Sequence, residues 1–155
     1  DAIALVAAED CVLVQAKDRT ICGIVTATDL NDQFRLLAEP FLLVGEIERA
    51  VRHILHGKFS VTELEQAKAP GDSRTIAGIA DLTLGEYVRL LQGDQRWRKL
   101  NLAVDRAEFC SGLDRVRELR NDVMHFNPDG LEPADMEFLR EFTEFLRRLR
   151  TIGAV

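Results

Sequence analysis

The chain contains 155 residues, 46% of them hydrophobic and 30% charged, with a formal net charge of −6, as expected for a soluble globular protein of one or two small domains. The negative charge argues against a general nucleic-acid coat and against DNA as a partner, because phosphate contacts need clustered Lys and Arg, but it is compatible with a local basic site. Three cysteines without a Cys-x-x-Cys pair argue against a disulfide framework and a thiolate metal site, and they favour a cytoplasmic protein. No apolar run reaches the length of a membrane span.

Residues 1–32 predict a short α/β segment. A helix is expected over residues 1–9, strands are expected over 11–14 and 21–26, and a new helix is expected to start near Asp29. Since the first residue is Asp rather than Met, we expect the chain to be part of a longer protein.

The run Gly23-Ile24-Val25-Thr26-Ala27-Thr28-Asp29-Leu30 resembles the second half of a CBS motif, a regulatory module that often binds adenine nucleotides. The resemblance implies that Thr26 and Asp29 contact the ribose and phosphates of a nucleotide where the CBS region is intact. A plainer interpretation is that Thr26 and Asp29 end a strand and cap the helix that follows.

Residues 33–155 predict an antiparallel helical bundle, so the expected fold class is mainly α with a short α/β segment in front. Pro40 is expected to separate the helix begun near Asp29 from the next one, because proline disrupts a helix interior. The remaining helices are expected over about 41–55, from capping boxes at Ser60 and Thr83, over about 105–126 and over about 133–150.

The end of the third long helix carries the strongest candidate chemistry. Its buried stripe is expected to contain Phe109, Leu113, Val116 and Val123, and the next position due on that stripe is Arg120. A guanidinium there must be paired or face a wet cleft, since Arg is rarely buried alone. Asn121 and His125 lie four residues apart, one turn above each other and within reach of Arg120.

The run Arg120-Asn121-Asp122-Val123-Met124-His125 resembles the signature of the HEPN superfamily, in which an Arg and a polar residue precede a His. Members are small helical bundles, many of them metal-independent endoribonucleases or toxin components that act as dimers. The resemblance implies that Arg120, His125 and Asn121 are catalytic and that no cofactor is needed. It also implies that Glu48 and Arg52, spaced i,i+4 on the first bundle helix, support them, whereas a plainer interpretation makes this pair a solvated salt bridge.

The first functional hypothesis is therefore an RNA-cleaving homodimer, a toxin or stress effector controlled by a nucleotide-sensing CBS region. The second is a non-catalytic dimerising module that binds nucleotides. A purely structural interpretation pairs Arg120 with Glu48 or Glu118 and makes His125 a helix cap.

Two other constellations are weaker. His53 and His56 are three apart on one helix, as metal ligands can be, but no carboxylate or Cys completes a shell at convincing spacing, so no metal site is expected. Trp97 among Arg96, Arg98 and Lys99 could stack a base, or it could pack against the bundle while its neighbours are solvated.

Overall fold

The structure is a computed structural model that describes residues 2–124 and 130–151. Over these residues it contains seven α-helices, one two-stranded antiparallel sheet and a 3-10 helix at Ile79–Asp81. The elements are α1 (Ala2–Glu9), β1 (Cys11–Gln15), β2 (Ile21–Thr26), α2 (Ala27–Leu55), α3 (Val61–Glu65), α4 (Leu84–Leu91), α5 (Asp94–Arg98), α6 (Arg106–Met124) and α7 (Pro133–Thr151). The predicted mainly α class with a small α/β segment at the N-terminus is thus confirmed.

The chain forms two compact units, residues 1–39 and 40–155, which divide inside α2. The assignment of residues 1–32 to a CBS motif and of residues 33–155 to an HEPN-like bundle stays a prediction, because compactness does not identify a family. No helix in the described part of the chain has both the length and the apolar character needed to cross a membrane.

The N-terminal unit is built on a hairpin. Strands β1 and β2 pair antiparallel from Cys11 opposite Thr26 to Gln15 opposite Ile21, so both predicted strands are confirmed. Thr26 then caps α2. Its hydroxyl and amide both donate to Asp29 Oδ2, at 2.7 and 2.8 Å, and these bonds lower the pKa of the Asp29 carboxyl.

The helical unit is organised around an aliphatic and aromatic core to which α2, α4, α6 and α7 contribute one face each. The apolar stripe of each of these helices is buried, including the one predicted for α6: Val44, Ile47, Val51 and Ile54; Leu84, Val88 and Leu91; Phe109, Leu113, Val116 and Val123; Met136, Leu139, Phe142, Leu146 and Leu149. Capping boxes begin α3 at Ser60 and α4 at Thr83, as the sequence predicts.

The prediction that Pro40 separates two helices is wrong, because α2 runs through Pro40 without a break. Proline costs about 3 kcal/mol inside a helix. However, the residues on both sides of Pro40 are mostly good helix formers, and neither Glu39 nor Phe41 offers the short polar side chain that starts a new helix.

Candidate functional site

Arg120 lies on α6 directly after Leu119, which is buried and continues the apolar stripe from Val116 to Val123, so Arg120 lies beside the stripe rather than on it. Its side chain is 43% exposed and lines a cavity of about 470 Å³ in the helical unit. The guanidinium is therefore not buried among apolar side chains, and it does not carry the desolvation cost that the predicted place on the stripe would impose.

Three parts of the helical unit form this cavity, which we call the arginine cavity. Helix α2 contributes Glu48 and Arg52, and α6 contributes Arg117, Arg120 and Asn121. The segment 80–85, which joins the 3-10 helix to the first turn of α4, forms the remaining wall. Four residues that the sequence pattern singled out, two on α2 and two on α6, thus line the same space.

Glu48 connects the two helices electrostatically. Its Oε2 accepts a hydrogen bond from Arg52 Nη2 at 3.3 Å, and its Oε1 lies 3.4 Å from Arg120 Nε. One carboxylate is therefore shared between two guanidiniums. Of the two partners that the structural interpretation offered for Arg120, Glu48 is the one that contacts it, while Glu118 lies 3.3 Å from Arg117.

Tyr87 of α4 holds the other side of Arg52. The Tyr87 hydroxyl accepts a hydrogen bond from Arg52 Nε at 3.1 Å and donates one to the Ile79 carbonyl at 3.0 Å. Only 1% of Tyr87 is exposed, and this burial raises the pKa of its phenol. The hydrogen bond from Arg52 to Tyr87 raises the pKa of the guanidinium. A series of hydrogen bonds thus runs from the Ile79 carbonyl through Tyr87 and Arg52 to Glu48, and the ion pair of Glu48 extends it to Arg120.

The wall at 80–85 is held by local capping. The Thr83 side chain accepts from the Glu86 amide while Glu86 Oε2 accepts from the Thr83 amide at 2.7 Å. The Asp81 carboxylate accepts from the amides of Ala77 and Gly78 at 2.8 and 2.9 Å. These bonds satisfy backbone donors that a loop followed by a helix leaves open, so the wall has a defined position beside the arginines.

Arg117 is a cavity residue that the sequence interpretation missed. Its Nε contacts Asp114 Oδ1 at 2.6 Å, and this bond raises the pKa of the guanidinium. The signal that could have found it is its spacing, because Arg117 lies three residues before Arg120 and therefore on the same helical face.

The other predicted site residues are placed as follows. His125 lies outside the described residues. Thr26 and Asp29 belong to the N-terminal unit and hydrogen-bond to each other, as the capping interpretation expects. His53 and His56 are exposed on the surface. Within residues 2–124 and 130–151, no group of three His, Cys, Asp or Glu side chains could hold a metal ion.

Trp97 and two of its basic neighbours, Arg96 and Lys99, contact other residues of the helical unit. The Trp97 ring packs against Phe109 with ring centroids 5.3 Å apart. Arg96 donates to Gln66 at 2.8 Å and Lys99 donates to Glu63 at 2.5 Å. The packing interpretation of Trp97 is therefore the one that the contacts support.

Comparison of the chain with protein-family models, with curated proteins and with solved structures gives no match.

Proposed function

We propose that the chain is a metal-independent endoribonuclease of the HEPN type, active as a homodimer. The observation that supports this proposal best is that Arg120, Asn121, Glu48 and Arg52 line one cavity. These residues come from two helices distant in sequence, and each was singled out from its own helical spacing and the HEPN resemblance. A cavity lined by guanidiniums suits a phosphodiester, because Arg presents a planar fork of donors to phosphate oxygens.

In the proposed reaction the 2′-hydroxyl of the substrate attacks the adjacent phosphorus and loses its proton to a general base. The bond from phosphorus to the 5′-oxygen breaks, a general acid protonates that oxygen, and the products carry a 2′,3′-cyclic phosphate and a 5′-hydroxyl. Arg120 would stabilise the extra negative charge on the pentacoordinate phosphorus, and Asn121 would orient the phosphate. His125 would transfer protons, since its unperturbed pKa lies near neutrality.

One histidine cannot act as base and acid at once in a single concerted displacement. None of the described residues that line the arginine cavity is a histidine. The proposal therefore includes a dimer in which the partner subunit supplies a second copy of the same motif. We further propose that an intact CBS region would place this activity under the control of an adenine nucleotide, as in a toxin or stress effector.

The alternative is a non-catalytic dimerising module that binds nucleotides. The pairing of Arg120 with Glu48 favours it, because a substrate phosphate must compete with a carboxylate already 3.4 Å from the guanidinium. Phosphate binding could then persist without the transition-state stabilisation that cleavage requires.

The decisive experiment is cleavage of a mixed RNA pool in EDTA, with end-group analysis of the products. We expect cyclic-phosphate ends from the unmodified protein and a loss of at least about a hundredfold in rate for His125→Ala and for Arg120→Ala, the usual scale for a proton-transfer group or a charge-stabilising donor. His56→Ala and Arg148→Ala are matched controls, because both residues are exposed and lie away from the cavity.

Cleavage at equal rates by the unmodified protein and His125→Ala would contradict the proposal. Absence of cleavage by a folded dimer, whose mass is verified by light scattering, would favour the binding module. A mass that corresponds to a monomer at full activity would contradict the shared site.

A further inference from the structure

The arginine cavity holds more guanidinium donors than one phosphate needs. Three guanidiniums line it, those of Arg52, Arg117 and Arg120, together with the carboxylates of Glu48 and Asp81. Glu48 is shared between Arg52 and Arg120, and the Asp81 carboxylate accepts from two backbone amides. The partners of Arg117 are instead Asp114 and Glu118, two acids that do not line the cavity.

The position of Arg117 is defined by its surroundings. Asp114 and Glu118, at 2.6 and 3.3 Å, hold the guanidinium from the same helix. On the other side the Arg117 stem passes the first turn of α4 at Gly85, where a Cβ atom would lie 3.2 Å from Arg117 Cδ. The absence of a side chain at Gly85 thus leaves room for Arg117 to line the cavity. Its five-donor fork can still bind a further acceptor while Asp114 and Glu118 hold it.

The spacing between Arg117 and Arg120 determines which groups of one ligand the two side chains can contact at the same time. Residues three apart on a helix are surface neighbours with Cβ atoms about 5–6 Å apart, so the two long side chains can contact adjacent anionic groups. Neighbouring phosphates of one nucleic-acid strand are such groups. A cavity of about 470 Å³ has the size of a small-ligand site, and flexible single-stranded RNA can enter it more readily than a rigid duplex.

We propose that the arginine cavity binds two consecutive phosphates of a single-stranded polyribonucleotide, with Arg120 at one phosphate and Arg117 at the next. The identification of the Arg120 phosphate as the one that is cleaved rests on the proposed function. The ligand is then an oligonucleotide with at least two phosphodiesters, and a mononucleotide fills only part of the site.

The test compares two 2′-O-methyl RNA probes without terminal phosphates, a dinucleotide with one phosphodiester and a trinucleotide with two. The methyl groups block attack by the 2′-oxygen, so binding is measured without cleavage. We expect the trinucleotide to bind about tenfold more tightly in calorimetry, the scale of one charge-assisted hydrogen-bonded contact. Arg117→Ala should abolish this preference and leave dinucleotide binding unchanged.

Salt dependence gives a second readout, because each phosphate contact to a single strand contributes about 0.7 to the slope of log K against log salt concentration. The trinucleotide slope should become shallower by about 0.7 in Arg117→Ala. Arg117→Lys should keep the slope and lose part of the affinity, since it keeps the charge but not the fork. Arg115→Ala is the matched control on α6, where Arg115 pairs with Asp135 and lies over the Phe138 ring.

Equal loss of binding for both probes in Arg117→Ala, or an unchanged preference for the trinucleotide, would overturn the inference. The two proposals can fail separately. A protein that cleaves RNA through His125 and shows no Arg117-dependent preference would retain the proposed function and lose the two-phosphate site. A protein that shows the preference and cleaves nothing would do the reverse.

Discussion

Glu48→Gln should increase the affinity of the arginine cavity for a phosphodiester. The substitution keeps the shape and helix propensity of the side chain but removes the negative charge shared by Arg52 and Arg120, at 3.3 and 3.4 Å. A phosphate bound on the far side of the Arg120 guanidinium would lie roughly 6 Å from the Glu48 carboxylate, close enough for the two negative charges to repel each other. Replacing the Glu48 carboxylate with a neutral amide thus removes its repulsion of a bound phosphate.

The size of the effect follows from partial exposure of the pair. The side chain of Glu48 is 23% exposed and that of Arg120 is 43% exposed, so solvent screens the interaction. With an effective dielectric constant between about 40 and 80, two unit charges about 6 Å apart repel by about 0.7–1.4 kcal/mol, which corresponds to a three- to tenfold gain in affinity. The loss of exposed ion pairs should lower the free energy of unfolding by less than about 1 kcal/mol.

The assay is calorimetric titration with the one-phosphodiester 2′-O-methyl probe at low and high salt. Glu144→Gln is the control, because Glu144 is an exposed ion-paired glutamate of α7 that does not line the cavity. The gain for Glu48→Gln should shrink as salt increases, since salt screens the repulsion that is being removed. Unchanged or weaker binding by a folded Glu48→Gln protein would refute this reasoning and would mean that Glu48 acts mainly by orienting Arg120.

The remaining predictions concern the core and Tyr87. Gly112→Ala should destabilise the helical unit by about 1–3 kcal/mol in urea unfolding, because the added Cβ would lie 2.6 Å from the Phe142 ring. Gly45→Ala should stabilise it by about 0.4–1 kcal/mol, because Gly45 lies inside α2 with open space around it. Equal shifts for the two variants would contradict this packing. Tyr87 is the one tyrosine of the chain, so tyrosinate absorbance reports it alone, and its midpoint should lie above the ordinary value of 10.0. Because the pKa of the phenol is raised in the folded state, the stability that the neutral phenol contributes is present below pH 10 and is lost as pH rises through the folded-state pKa. A titration midpoint at or below 10 would contradict the burial of Tyr87.

Much of the candidate site could be predicted from helical spacing. Arg120 was predicted at the next position of an apolar stripe; Leu119 occupies that position in the structure, and Arg120 lies beside it and lines a cavity. The i,i+4 pair of Glu48 and Arg52 is formed, with Nη2 and Oε2 3.3 Å apart. The capping box at Thr83 marks the start of α4 and hence one wall of the cavity. These features are local, since each depends on residues three or four apart on one helix or on a cap.

The features that were not predicted depend on contacts between distant residues. Arg117 has Asp114 three residues before it and Glu118 next to it, a pattern typical of a solvated helix face. What distinguishes Arg117 is its close approach to Gly85, where a Cβ atom would lie 3.2 Å from Arg117 Cδ, and no local pattern indicates that approach. The failed prediction at Pro40 has a different origin, because a local rule against proline in helices was given more weight than the helix-forming residues around it.

Tyr87 shows why the site and the core belong to one structure. Its ring is buried among the core residues of α4, yet its hydroxyl joins the Ile79 carbonyl to Arg52. Through Glu48, that connection continues to Arg120 without leaving hydrogen-bond or ion-pair distance. A buried hydroxyl must find partners, and here the partners are the Ile79 carbonyl, directly before the cavity wall, and the guanidinium of Arg52 in the cavity. The same hydrogen bonds that satisfy the core tyrosine therefore also hold Arg52 at the arginine cavity.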